Sequence, residues 1–196
     1  MPIIRQSKKQ PAETRQHLLK VAGEQILEHG LANLTLDAVA RASGVSKGGL
    51  LHHFPSKQHL LEGLILDLHD RFRERLRDLA QADPVPEGRF ARAYLKAVSM
   101  HREDPSNKLC GVLAIEARGE PAMRSAWRDC VREMLSQETD GKCDPIELAI
   151  VHLAADGLWL ADLEGVFDDS PDLFRQIVAR LELMTKASTP TTVTVP

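Results

Sequence analysis

The chain has 196 residues, 43% of them hydrophobic, with 25 Lys and Arg against 28 Asp and Glu, and three cysteines. That length is enough to bury a real core, but no run approaches the roughly 20 apolar residues a bilayer span requires, and the Met1 end lacks a signal-peptide apolar segment. The expectation is a soluble, cytoplasmic protein with no membrane partner, in which Cys110, Cys130 and Cys143, lacking any CxxC pair, stay reduced. The net charge of -3 conceals a division: residues 1–60 hold eight Lys and Arg against four acids, a balance of +4, which leaves -7 for the remainder. Five of the eight histidines (His17, His29, His52, His53 and His59) also lie in that first stretch. Such asymmetry describes a basic anion-binding module on an acidic body.

Helical periodicity dominates, and the fold class is all-α. Leu18, Ala22 and Ile26 form the first apolar stripe, flanked by Leu19 and Leu27, and His29-Gly30 stops it. Arg5, Lys8 and Lys9 form a basic arm before that helix. Thr35 caps a short helix carrying Leu36, Val39 and Ala40. After the turn Gly44-Val45-Ser46, a second short helix runs from Lys47 to His53 or Phe54. A long helix from Ser56 follows, with Leu60, Leu61, Leu64, Ile65, Leu68, Phe72, Leu76 and Leu79 on its inward stripe. Beyond Asp83-Pro84-Val85-Pro86, helices are drawn at 87–103, 107–118 and 120–137, with Asp104-Pro105 and Gly119 as separators. Asp144-Pro145-Ile146-Glu147 starts the next helix with an Asp cap and Pro in the first turn, and the helix runs toward Phe167. Ser170-Pro171-Asp172 opens a last helix ending near Lys186. The tail 187–196 is expected to be disordered. The chain therefore divides into an arm and short-helix unit at 1–55, a helical body at 56–186, and the tail.

Two short helices around a glycine turn, between two long ones, make a helix-turn-helix. Gly44 supplies the left-handed turn residue, Val45 plugs the gap between the helices, and Ser46 caps the second. Leu50 and Phe54 face the core, while Gly48, Gly49 and His52 point outward, with Leu51 and His53 on the flanks. Two glycines cost this helix roughly 0.5–1 kcal/mol each relative to Ala, which close approach to a duplex would offset.

The run 35–61, TLDAVARASGVSKGGLLHHFPSKQHLL, resembles the DNA-binding region of the TetR family of bacterial repressors. With the preceding helix it covers about a third of the chain. The resemblance implies about nine helices, with a three-helix DNA-binding domain ahead of a ligand-binding and dimerisation domain. It further implies a two-fold symmetric homodimer on a palindromic operator in double-stranded DNA, released when a small molecule enters the body. Carried over, Thr35 would bond a phosphate, Lys47 and Gly48 would lie in the major groove, His53 would contact backbone phosphate and Lys57 would clamp phosphate. Ser46 and His52 complete the expected DNA set. Leu51 stands where the family usually has Tyr, and offers only an apolar contact such as to a thymine methyl.

In the body, the small and apolar segment 154–163 would pack closely on a symmetry mate, with a last helix bearing Phe174, Ile177, Val178, Leu181 and Met184 completing a four-helix dimer interface. The segment is similar to one in TetR-like repressors that respond to cationic or lipophilic drugs and control efflux pumps. The resemblance therefore implies a small lipophilic or cationic effector and an efflux or detoxification target. The candidate effector residues are Tyr94, His101, Glu116, Trp127, His152, Asp156 and Trp159, in a body that also holds Phe90, Phe167, Met100, Met123 and Met134. An inward carboxylate favours a cation; Arg118 or a histidine favours an anion. No metal site, cofactor or catalytic set is expected, because HExxH, a Gly-rich phosphate loop and a nucleophile elbow are all absent from the sequence. The alternative function is a DNA-binding regulator without a small-molecule effector, controlled by a protein partner or by redox state.

Overall fold

The computed structural model describes residues 9–99, 104–116, 121–136 and 143–186. Among these residues the secondary structure is helical throughout, with no strand. Nine α-helices follow in order: α1 Lys9–His29, α2 Leu36–Ser43, α3 Lys47–His53, α4 Lys57–Ala82, α5 Arg89–Ser99, α6 Pro105–Glu116, α7 Pro121–Ser136, α8 Pro145–Leu163 and α9 Pro171–Met184. One 3-10 turn, Leu31–Asn33, joins α1 to α2. No helix among the described residues is long and apolar enough to cross a membrane. Arg5, Lys8, Met100, His101, Arg118 and the tail lie outside the described residues, and Lys9 opens α1 rather than preceding it.

Helix boundaries follow capping chemistry. Thr35 accepts from the Ala38 amide at 3.1 Å, Ser46 from Gly49 at 3.1 Å, and Asp144 from Ile146 at 2.8 Å. Each cap satisfies one amide that the first helical turn leaves without an intrahelical partner. The α6 start falls two residues earlier than expected, because Asp104 is a cap rather than a separator: its carboxylate accepts from Ser106 at 2.8 Å. Asp-Pro at 104–105 is the same start signal as Asp-Pro at 144–145. Helix α8 ends at Leu163, short of Phe167, because Gly165 takes the left-handed conformation (φ 74) and Val166 bonds back to the Ala161 carbonyl at 3.0 Å.

The chain forms two compact units, one comprising the described residues up to Leu68 with Val112–Trp127, the other His69–Gly111 with the described residues from Arg128 onward. In the first, Leu18, Leu19, Ala22, Ile26, Val39, Leu50, Phe54 and Leu60 are buried, so the α1 stripe and the inward face of α3 are as the periodicity predicts. In the second, α5 packs extensively on α8, and α9 packs on both. Phe174 and Leu181 are buried in this unit's own core, with Ile177, Val178 and Met184 packed against it. Phe174 and Leu181, expected to face a symmetry mate, therefore face the chain's own core, while Ile177, Val178 and Met184 are half-buried against it. A 3.6-residue period locates an apolar stripe without saying what covers it, and α9 has a second apolar edge at Leu173 and Leu183, both exposed.

A buried arginine staples the second unit. The Arg92 guanidinium donates to Asp83 Oδ2 at 2.7 Å, to the Val85 carbonyl at 2.6 Å, and to the Thr185 carbonyl and hydroxyl at 3.3 Å each. It ties the end of α4 and the following loop to the end of α9. The Arg92 hydrogen bond holds the Asp83 carboxyl below its ordinary range. The pair's contribution is thus complete above about pH 4 and is lost as the pH falls through the lowered value. Arg92→Met should lower the unfolding free energy by about 1–3 kcal/mol, read by urea unfolding at pH 7, because Asp83 and the Val85 and Thr185 carbonyls lose their shared donor.

Candidate nucleic-acid interface and effector site

The helix-turn-helix is set by Gly44, in the left-handed region (φ 70), which caps α2 and turns the chain toward α3. Leu50 anchors α3 inside, and Phe54 closes it under the Arg15 guanidinium, whose carbon lies 5.1 Å from the ring centre. The outer surface of α3 presents Lys47, Gly48, Leu51 and His52 to solvent, with His53 half-buried beside His52 at 5.5 Å between ring centres. The two glycines have different reasons. A side chain at Gly48 would meet open space, whereas one at Gly49 would stand 3.1 Å from Val45 and 3.2 Å from the Ser46 hydroxyl. Gly49 therefore faces the turn rather than outward, and close packing within the chain accounts for it.

Thr35 and Ser46 are exposed at the starts of α2 and α3, where backbone amides favour an anion. Two lysines have intramolecular partners. The Lys47 ammonium lies 3.0 Å from Asp37 Oδ1, both side chains being exposed. Lys57, at the first residue of α4, donates to the Leu31 carbonyl at 3.0 Å, which leaves two of its three N–H donors for another acceptor. Asp37 was not among the residues expected here. The signal was available, because a helix-turn-helix brings the first turns of α2 and α3 together, so an acid at one start and a lysine at the other can meet. His59 bonds the Ser56 hydroxyl at 2.7 Å, and the described residues hold no group of three ligands suited to a metal ion.

Four of the seven expected effector residues lie in the second unit on α5 and α8. Tyr94 is buried and donates its hydroxyl proton to Asp156 Oδ1. The buried His152 ring meets the Tyr94 ring edge-on at 4.4 Å, and Phe72 of α4 meets it at 5.5 Å. Trp159 follows one turn later, its buried indole N–H having no hydrogen-bond partner among the described residues. Trp159 lines a tight, mostly apolar cleft, too narrow to hold a water molecule, with Leu95, Val98, Ser99, Ala155, Leu158 and Phe174. Glu116 is instead exposed at the end of α6, and the Trp127 side chain lies outside the described residues. The Cys110 thiol is pushed up to about 12 by burial, with the Asp104 charge adding to it, which keeps it out of the reactive thiolate form at neutral pH.

Burial raises the Asp156 carboxyl above its ordinary range, and the Tyr94 hydrogen bond and His152 only partly oppose this. A raised acid is linked to stability that is complete at low pH and is lost as the pH rises through the raised value. Ionised Asp156 therefore opposes folding at pH 7. Asp156→Asn, which keeps an acceptor for Tyr94, should melt at the parent temperature or above it at pH 7, and a lower melting temperature would show that the carboxylate stabilises the unit.

Residues 18–64 match the bacterial regulatory proteins of the tetR family, and residues 88–186 match the tetracyclin repressor-like C-terminal domain. The regulator TtgR of Pseudomonas putida is 29% identical over 83 residues, 42% of this chain and 40% of that protein. UidR of Escherichia coli is 34% identical over 73 residues, 37% of this chain and 36% of that protein. The nucleoid occlusion factor SlmA of Haemophilus ducreyi is 40% identical over 65 residues, 33% and 32% of the two chains. The chain thus spans less than half the length of each of these curated relatives.

Solved structures match over most of both chains. Salmonella enterica GusR superposes with a TM-score of 0.68 at 17% identity, covering 92% of this chain and 98% of that one. The multidrug binding protein EbrR, complexed with imidazole, gives 0.64 at 20% identity over 91% and 97%. At these identities the likeness shows the fold. The helix-turn-helix and the helical body together define a DNA-binding transcriptional regulator. The chain belongs to the TetR family, whose members are transcription factors and not enzymes.

Proposed function

We propose that the protein is a homodimeric repressor that holds a palindromic operator and leaves it when a small molecule enters the second unit. The observation that carries this reading is the second face of α8. Ile146 and Leu153 are 69% and 68% exposed, with Ile150 and Leu160 on the same side, opposite the buried Leu148, Val151, Ala155 and Leu158. Gly157 lies on that exposed side with open space above it. A contiguous apolar surface of this kind marks an interface, and with Leu173 and Leu183 of α9 it is self-complementary in a two-fold pair.

At the DNA, Thr35 and Ser46 meet phosphates from their helix starts, Lys47, Gly48, Leu51 and His52 enter the major groove, and His53 and Lys57 bond the backbone. Lys57 and Phe72 belong to one uninterrupted helix, α4, and Phe72 touches Tyr94. A ligand that displaces Tyr94 therefore acts on the helix that carries the phosphate clamp. It shifts the equilibrium only through differential affinity, favouring a dimer whose reading helices no longer match successive DNA turns about 34 Å apart. EbrR, a multidrug binding protein solved with imidazole and with malachite green, supports a small-molecule effector, and an efflux or detoxification gene is the target we infer from it.

Leu153→Glu should give a monomer by light scattering and abolish operator binding, and a variant that stays dimeric would place the interface elsewhere. DNA selected by the parent from a random pool should be palindromic. In anisotropy titrations over a salt series, Lys57→Ala should weaken all sequences about equally and lower the salt slope by about 1, whereas Lys47→Ala and Leu51→Ala should change base preference.

A further inference from the structure

We propose that Asp37 is a positioning residue for sequence reading: through its ion pair with Lys47 it aims the lysine ammonium at guanine and restrains binding to arbitrary DNA. The inference rests on the reading above in which Lys47 enters the major groove.

Between Glu28 and Glu62 the chain holds a single acid, Asp37, among Arg41, Lys47 and Lys57. A carboxylate on a surface that meets a polyanion opposes binding, because contact with phosphate supplies the affinity for any DNA sequence. Its position is particular. Asp37 lies in the first turn of α2 and Lys47 opens α3, and the turn at Gly44 brings the two within reach. The Lys47 ammonium lies 3.0 Å from one Asp37 carboxylate oxygen and 3.3 Å from the other, so both oxygens face the charge. An acid in the first turn of α2 also suits the helix dipole, but the dipole does not account for the contact with Lys47. Nor does stability, because an ion pair whose side chains are 63% and 62% exposed contributes little.

At a DNA surface the pair has two effects. Beside a phosphate, the carboxylate offsets the Lys47 charge, so the pair adds little to the attraction that every sequence shares. Against base edges, the carboxylate takes one of the three ammonium donors and leaves two, on a stem that would otherwise swing freely. In the major groove guanine presents two neighbouring acceptors, N7 and O6. Adenine sets a donor beside its one acceptor, thymine sets a methyl group beside its own, and cytosine presents a donor. The two remaining donors therefore match guanine.

The test uses the full chain. Selection from a random pool by the parent and by Lys47→Met locates the base that Lys47 reads, which should be guanine in the parent's sites. Anisotropy titrations over a salt series then compare three duplexes: the selected operator, the same operator with that guanine replaced, and a random sequence. Asp37→Asn, which keeps the shape and removes the charge, should bind the random duplex about fivefold more tightly near 0.15 M salt, the gain from one further neutralised phosphate. Its preference for the operator over the guanine-replaced duplex should fall about fivefold or more. In a Lys47→Met chain, adding Asp37→Asn should leave that preference where it was. A carboxylate that merely repels phosphate would be seen as an equal gain on all three duplexes with the preference unchanged, and this result would overturn the proposal. Selection of another base by the parent, or a preference that still depends on Asp37 in the Lys47→Met chain, would overturn it as well. The two readings fail separately. If Lys47→Met alters base choice and Asp37→Asn does not, the groove assignment of Lys47 stands and the positioning role is lost; if Lys47→Met alters no base, both are lost.

Discussion

Helix α8 carries apolar residues on two opposite sides, and water tolerates only part of such a surface. One side is covered by α5 and α9 of the same chain, where Val151 and Ala155 are buried. The other side, from Ile146 to Leu160, is left exposed, and in the proposed dimer a second copy covers it. Because one helix serves both faces, anything that moves it against α5 also moves what lies behind it. In the proposed repressor, dimer geometry, ligand site and DNA spacing then cease to be separate properties.

The same helix carries the polar groups that give the interior its chemistry. His152 and Asp156 sit four residues apart, on the face that meets Tyr94. A core built for stability alone would hold Leu or Val there. Keeping a carboxylate where burial opposes its ionisation fits a general pattern in which functional sites sacrifice stability that a simpler packing would supply.

The DNA-binding unit was readable from its residues because local chemistry decides it. A left-handed Gly44, caps at Thr35 and Ser46, and inward Leu50 and Phe54 each have one structural use, and all agree. The body was harder to read for a physical reason. Periodicity identifies apolar stripes, but α8 and α9 each carry two, and only packing shows that Phe174 and Leu181 point inward while Leu173 and Leu183 do not. Partnerships across long separations were equally hidden: Lys57 with the Leu31 carbonyl, Lys47 with Asp37, Arg92 with Thr185. The meeting of Tyr94 with Asp156 is of the same kind. Both residues were singled out as polar or aromatic within apolar helices, yet only the docking of α5 on α8 makes them a pair.

The Arg92 staple has a consequence for the order in which the protein is made. Its guanidinium belongs to α5, while two of its acceptors belong to Thr185, 93 residues later. During synthesis α5 leaves the ribosome long before Thr185 exists, so the arginine can meet Asp83 and the Val85 carbonyl while its remaining donors stay hydrated. The first unit can draw on α1 to α3 and the start of α4 from the outset. The second closes only when the end of α9 has been made, so α1 to α3 begin to take shape before the second unit is complete.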